Sequence, residues 1–81
     1  MNLEEAKHHL NNYVLKRQAP GDFLRAMLEN DLFGALRHAD PSSKENLVAI
    51  AQYIWNEIPA NIWGSRLRIQ EYLHPVETPA S

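Results

Sequence analysis

Cysteine is absent from the 81 residues, and only three glycines are present. Without thiols there are no disulfides, no thiolate nucleophile and none of the usual structural zinc sites. No stretch approaches the ~20 consecutive apolar residues of a transmembrane helix, and Met1-Asn2-Leu3-Glu4-Glu5 lacks the basic start and apolar run of a signal peptide. A cytosolic protein that meets no membrane is the expectation. A surplus of positive charge is also missing. The formal net charge is −2, and Lys7, Lys16, Arg17, Arg25, Arg37, Lys44, Arg66 and Arg68 are interleaved with acids. That spacing provides no basic face for duplex nucleic acid. Glycine-rich phosphate loops, His-Glu-x-x-His and a serine nucleophile turn are likewise lacking. The reading is therefore of a non-enzyme with no cofactor and no metal.

What remains is a chain with 44% apolar residues and helical spacing throughout. The expected fold is all-α: a compact bundle of four to five short helices forming one domain over residues 1–75, with a flexible tail at 76–81. Asn2 caps a first helix from Leu3 to about Gln18, whose buried stripe is Leu3, Ala6, Leu10, Tyr13 and Val14, with Arg17 at its wet end. Ala19-Pro20-Gly21 stops it. A second helix runs from Asp22 to about Glu29. Asn30-Asp31 then provides a left-handed end and a new cap, or alternatively a kink in one longer helix. A third helix, Leu32 to about Ala39, buries Leu32, Ala35, Leu36 and Ala39. Asp40-Pro41 starts a long central helix to about Glu57 with the stripe Leu47, Ile50, Ala51, Ile54, Trp55 and Ile58. Pro59 ends it, and Ser65 caps a last helix from Arg66 to about Leu73.

The residues with most chemical promise are Tyr53, Asn56 and Glu57 at the end of the central helix, and Trp63, Gly64, Ser65, Arg66 and Arg68 beyond it. A helix start, with unpaired N–H groups and a positive dipole end, suits a phosphate or carboxylate, while Trp63 suits a planar ring. The competing reading has Ser65 as a simple cap, Trp63 as a core plug, and Arg66 or Arg68 bridging to Glu57. Phe23, Met27 and Phe33 exceed what one small core accommodates and are interface candidates for self-association as a dimer. His8 and His9 are adjacent on one helix and diverge by about 100°, so they do not chelate together. Asp31 and Asp40 stand where helices want caps, which is a better account of them than a catalytic carboxylate pair.

The succession Asn30-Asp31-Leu32, Ala39-Asp40, Asn46, Tyr53, Asn56-Glu57, Pro59 and Trp63-Gly64-Ser65, between Asp22 and His74, resembles a family of short helical proteins encoded by bacteriophages and prophages. Arg66 departs from the proline or acid that tends to follow Trp-Gly-Ser there. The resemblance implies a phage-type interaction protein, acting against host defences by docking a host protein through a helical face. The alternative it leaves open is sequestration of a nucleotide-like small molecule at the Trp63–Arg68 corner.

Overall fold

In the computed structural model, which describes residues 1–74, six α-helices and one 3₁₀ turn follow one another, and no strand occurs among the described residues. The helices are α1 (Leu3–Lys16), α2 (Asp22–Leu28), α3 (Leu32–His38), α4 (Pro41–Glu45), α5 (Leu47–Glu57) and α6 (Arg66–Leu73), with the 3₁₀ turn at Ala60–Ile62. The fold is thus all-α, as composition and periodicity require. The tail expected at residues 76–81 lies outside the described residues.

Caps set the starts. Asn2 Oδ1 accepts from the Glu5 N–H at 2.8 Å, Asp31 from Gly34 at 2.9 Å, Asp40 from Ser43 at 2.7 Å and Ser65 from Arg68 at 3.2 Å. Each satisfies a first-turn donor that has no partner inside its own helix. The ends also have local causes. α1 stops two residues earlier than expected because Arg17 adopts the left-handed conformation (φ 53°), its N–H donating to the Tyr13 carbonyl and the next N–H, of Gln18, to that of Asn12. Its guanidinium then lies over the Tyr72 ring at 4.8 Å. Asn30 (φ 63°) reverses the chain between α2 and α3, so these are two helices and not one kinked helix.

The long central helix expected from Pro41 to Glu57 is interrupted at Asn46. There the backbone bends (φ −100°, ψ 7°), and the Asn46 side chain donates to the Ser42 carbonyl at 2.8 Å. A side-chain amide competing for a backbone acceptor is a familiar reason for a helix to break.

The core gathers Ala6, Leu10 and Tyr13 from α1, Phe23, Leu24, Ala26 and Leu28 from α2, and Ala35 from α3. Ile50 and Ile54 from α5, then Ile58, Ile62 and Ile69, complete it. Three expectations are corrected here. Phe23 is buried in the core and is not a surface residue. Leu32 and Leu36 are exposed, because α3 turns only Ala35 fully inward. Ala51 and Trp55 are exposed as well, since α5 is covered along Ile50, Ile54 and Ile58 while its next angular sector has no neighbour.

Polar ties between distant segments hold the bundle closed. Tyr13 Oη donates to the Ile62 carbonyl at 2.6 Å, the Gly64 N–H donates to the Leu28 carbonyl at 2.6 Å, and Tyr72 Oη donates to the Val14 carbonyl. Tyr13 is fully buried, and that burial, assisted by the neighbouring Tyr72, pushes its phenol up to about 12. Replacing Tyr13 with phenylalanine leaves the Ile62 carbonyl without its donor and should destabilise the protein by about 1–3 kcal/mol. Urea titration followed by circular dichroism reads this directly.

Asp40 supplies a pH dependence. The Ser43 backbone N–H, then the amino terminus at 3.1 Å and the Ser43 hydroxyl, hold its carboxyl down at about 2 against an ordinary 3.8. A carboxylate stabilised in the folded state contributes above its unfolded value, and the contribution fades as pH falls through the folded one. The urea midpoint should therefore drop from pH 4 towards pH 2. Asp40→Asn, which keeps a capping oxygen, should weaken that acid-side dependence; an unchanged slope would remove Asp40 from the account.

Candidate functional site

The corner after α5 forms as a compact loop whose polar groups serve one another. Ser65 Oγ caps α6. Arg68 Nη1 donates to the carbonyls of Ala60 and Trp63, at 3.1 and 3.3 Å, and so clamps the 3₁₀ turn. Gly64 takes φ 107°, a conformation that L side chains rarely adopt, which brings its N–H to the Leu28 carbonyl. Arg66 does not meet Glu57. Its Nε lies 3.7 Å from Glu29 Oε2, where Arg25 Nε approaches the same oxygen at 3.2 Å. The bridge expected at Glu57 is thus made by Glu29, whose side chain is nearly buried, while Glu57 is exposed.

The remaining members of the expected ligand set do not converge on this corner. Tyr53 faces α1, donating to Asn11 Oδ1 at 3.1 Å with Lys7 Nζ 5.5 Å from its ring centroid. Asn56 is exposed on α5 and borders the apolar trough described below. Trp63 is half-buried against the core; its indole N–H donates to the Ile58 carbonyl at 3.0 Å. Its ring meets Trp55 edge-to-face at 5.9 Å, a favoured aromatic geometry. Trp63 therefore belongs to a different site from the arginines that follow it.

That site is an apolar face. Leu32, Phe33 and Leu36 on α3 and Val48 and Trp55 on α5 are all exposed, Phe33 at 83%, Trp55 at 74% and Val48 at 68%. On a helix these positions fall within one sector of each element: Leu32, Leu36 and Phe33 span about 100° of α3, and Ala51, Trp55 and Val48 about 60° of α5. Between the two helices, floored by Met27, runs an open trough that reaches from Leu47 and Val48 to Trp55. It continues into a socket of about 320 Å³ walled by Met27, Leu32, Ala51, Ile54, Trp55 and Trp63. No charged side chain lines the trough, and Asp31, already engaged as a cap, is the one charged residue at the socket.

Of the three interface candidates, Phe33 is exposed on α3 next to Leu32, Met27 lines the trough and the socket, and Phe23 is elsewhere in the core. Sequence reasoning missed Leu32, Val48 and Trp55 as surface residues. The signal was present in α5, where Leu47, Val48, Ile50, Ala51, Ile54, Trp55 and Ile58 occupy a wider arc than one neighbouring helix covers.

A second depression, of about 260 Å³, lies between α2, α3 and α6 and is polar. Arg25, Arg37 and Arg66 face Asp22, Glu29 and Asp31 across it, so its formal charges cancel and no field for an anion remains. Among the described residues no three histidine or acidic side chains converge on a common point, and no helix is long and apolar enough to cross a membrane.

The two arms of the corner should respond differently to truncation. Arg66 is 76% exposed, so Arg66→Ala should change stability by less than about 1 kcal/mol. Trp63→Ala removes half-buried aromatic packing and the Ile58 tie, and should cost roughly 2–3 kcal/mol, somewhat below a full core truncation. Thermal melts of the two variants measure the contrast; an unchanged melt for Trp63→Ala would detach Trp63 from the scaffold.

No family model, no curated protein and no solved structure matches this chain.

Proposed function

We propose that the protein is a non-catalytic interaction module that docks another polypeptide through the α3–α5 face. The observation that carries this reading is a charge-free trough lined by Leu32, Leu47, Val48, Ala51 and Trp55, with the exposed Phe33 and Leu36 on the same helix as Leu32. Summed from their exposures, these side chains present on the order of 600 Å² of apolar surface, the upper end for a monomer's largest patch. Isolated exposed leucines, such as Leu15 and Leu67, are ordinary; a contiguous patch with two tryptophans at its end is not. Aromatic anchors beside an apolar trough are the anatomy of an interface centre.

The rival reading, a nucleotide-like anion at the Trp63–Arg68 corner, has weaker support. Ser65 Oγ and Arg68 are engaged within their own loop, and Arg66 is paired with Glu29. In the phage setting that the motif resemblance implies, the docked polypeptide is a host protein of the cytosol and the docking is an anti-defence act. The chemistry of the face specifies only that the partner surface be apolar and uncharged at its centre, because a charge placed in the trough would lose its water and find no counter-ion.

Site-specific photo-crosslinking tests the docking reading. A benzoylphenylalanine at position 33, 48 or 55 should yield protein adducts in cells carrying the chain. The same group at position 15 or 67, equally exposed but off the face, should yield few. Equal labelling from both sets of positions would refute docking through this face.

A further inference from the structure

We infer that the occupant of the apolar face is a second copy of this chain, paired about a twofold axis with Phe33 of each copy seated in the tryptophan-walled socket of the other. This rests on the docking reading and names its partner. Three observations lead to it.

The face carries both halves of a knob-and-socket contact. Phe33 is the most exposed large apolar side chain among the described residues, and it stands next to Leu32, which is itself a wall of the socket. In an isologous interface residue i meets j and j meets i, so knob and socket must sit side by side on one surface. Here Phe33 adjoins the socket through its chain neighbour Leu32, so knob and socket wall share α3.

The trough is matched to itself in charge. Met27, Leu32, Leu47, Val48, Ala51 and Trp55 provide an apolar lining, flanked by the uncharged amides of Gln52 and Asn56. The trough itself carries no ionised group, Asp31 at the socket is the one carboxylate that pairing approaches and is engaged as a helix cap, and a formal charge of −2 per chain opposes pairing only weakly.

The area is consistent with a dimer of moderate strength. About 600 Å² from the five exposed side chains, with the rim they cover, approaches the roughly 800 Å² per partner of a standard interface. The pair belongs at the small end of specific interfaces, where dissociation constants in the micromolar range are ordinary.

Sedimentation over a range from low to high micromolar protein tests the inference, with tryptophan emission followed in parallel. The expected result is a monomer–dimer equilibrium in which emission shifts to the blue as concentration rises, because Trp55 leaves water on pairing. Phe33→Glu should weaken association by about 100-fold or more, as truncating or charging an interface anchor does. Its helical spectrum and melting temperature at low concentration should match the parent, since Phe33 contributes little to the core. Leu15→Ala and Leu67→Ala should leave association within about twofold of the parent. A species that stays monomeric at high micromolar concentration would overturn the inference, and so would a dimer indifferent to Phe33→Glu. The two levels of the argument separate cleanly. A monomer whose positions 33 and 55 crosslink to a different protein overturns self-pairing and leaves docking in place. A monomer with no face-specific crosslinks overturns both.

Discussion

The hydrogen bond from Tyr13 to the Ile62 carbonyl is the constraint on which the rest of the arrangement depends. It joins the last turn of α1 to a 3₁₀ turn 49 residues later, and it lies in the interior, where neither group has water as a substitute. Two further ties bracket the same turn. Gly64 reaches the end of α2, and Tyr72, whose ring lies 5.2 Å from that of Tyr13, reaches Val14. A chain this small buries only about 60% of its unfolded surface and here has no disulfide to limit its unfolded state. Buried polar bonds of high sequence separation therefore specify which helices meet, which apolar contacts alone would do less selectively. Once the turn is fixed against α1 and α2, Trp63 has one place to go, and its ring becomes the end wall of the socket under Trp55.

The apolar face is a consequence of short helices meeting at fixed turns. α3 has seven residues, and it directs its one fully buried side chain, Ala35, inward. A small residue at the contact brings the helix close but leaves its leucines and phenylalanine directed outward. The Asn30 reversal keeps α3 beside α2, and Asn46 departs from helical geometry between α4 and α5. Two asparagines, each at a place where a side-chain amide or a left-handed backbone suits the turn, thus precede the two helices that border the trough.

Local signals were the legible part of this protein. Caps at Asn2, Asp31, Asp40 and Ser65, the left-handed Asn30, and the isoleucine stripe of α5 are all readable because each depends on residues within about one helical turn of itself. The failures share one cause. Whether Leu32, Trp55 or Phe23 is inside depends on which sector of a helix finds a neighbour, and periodicity reports the angle of a side chain but not what stands opposite. The same limit explains the misplaced ion pair: Glu29 and Glu57 are equally acidic in sequence, and only the fold of α6 beside α2 chooses Glu29 for Arg66. Arg68 was legible as a cation near a helix start, but its use as a clamp on two carbonyls depends on the turn that Tyr13 fixes.

An exposed apolar face on a small domain invites the view that it is merely core that the chain failed to enclose. Polar side chains could stand at positions 33, 48 and 55 without disturbing Ile50, Ile54 or Ala35, and charged ones would raise solubility. Instead these positions hold phenylalanine, valine and tryptophan, with a charge-free groove between them. Covering that groove removes apolar surface from water just as folding does, so a partner that recognises only the folded chain also stabilises it, by an amount that grows with partner concentration. Incomplete enclosure is then what the proposed recognition would use. The bundle is left short of one layer of packing, and in the proposed docking that layer is what a second polypeptide would supply.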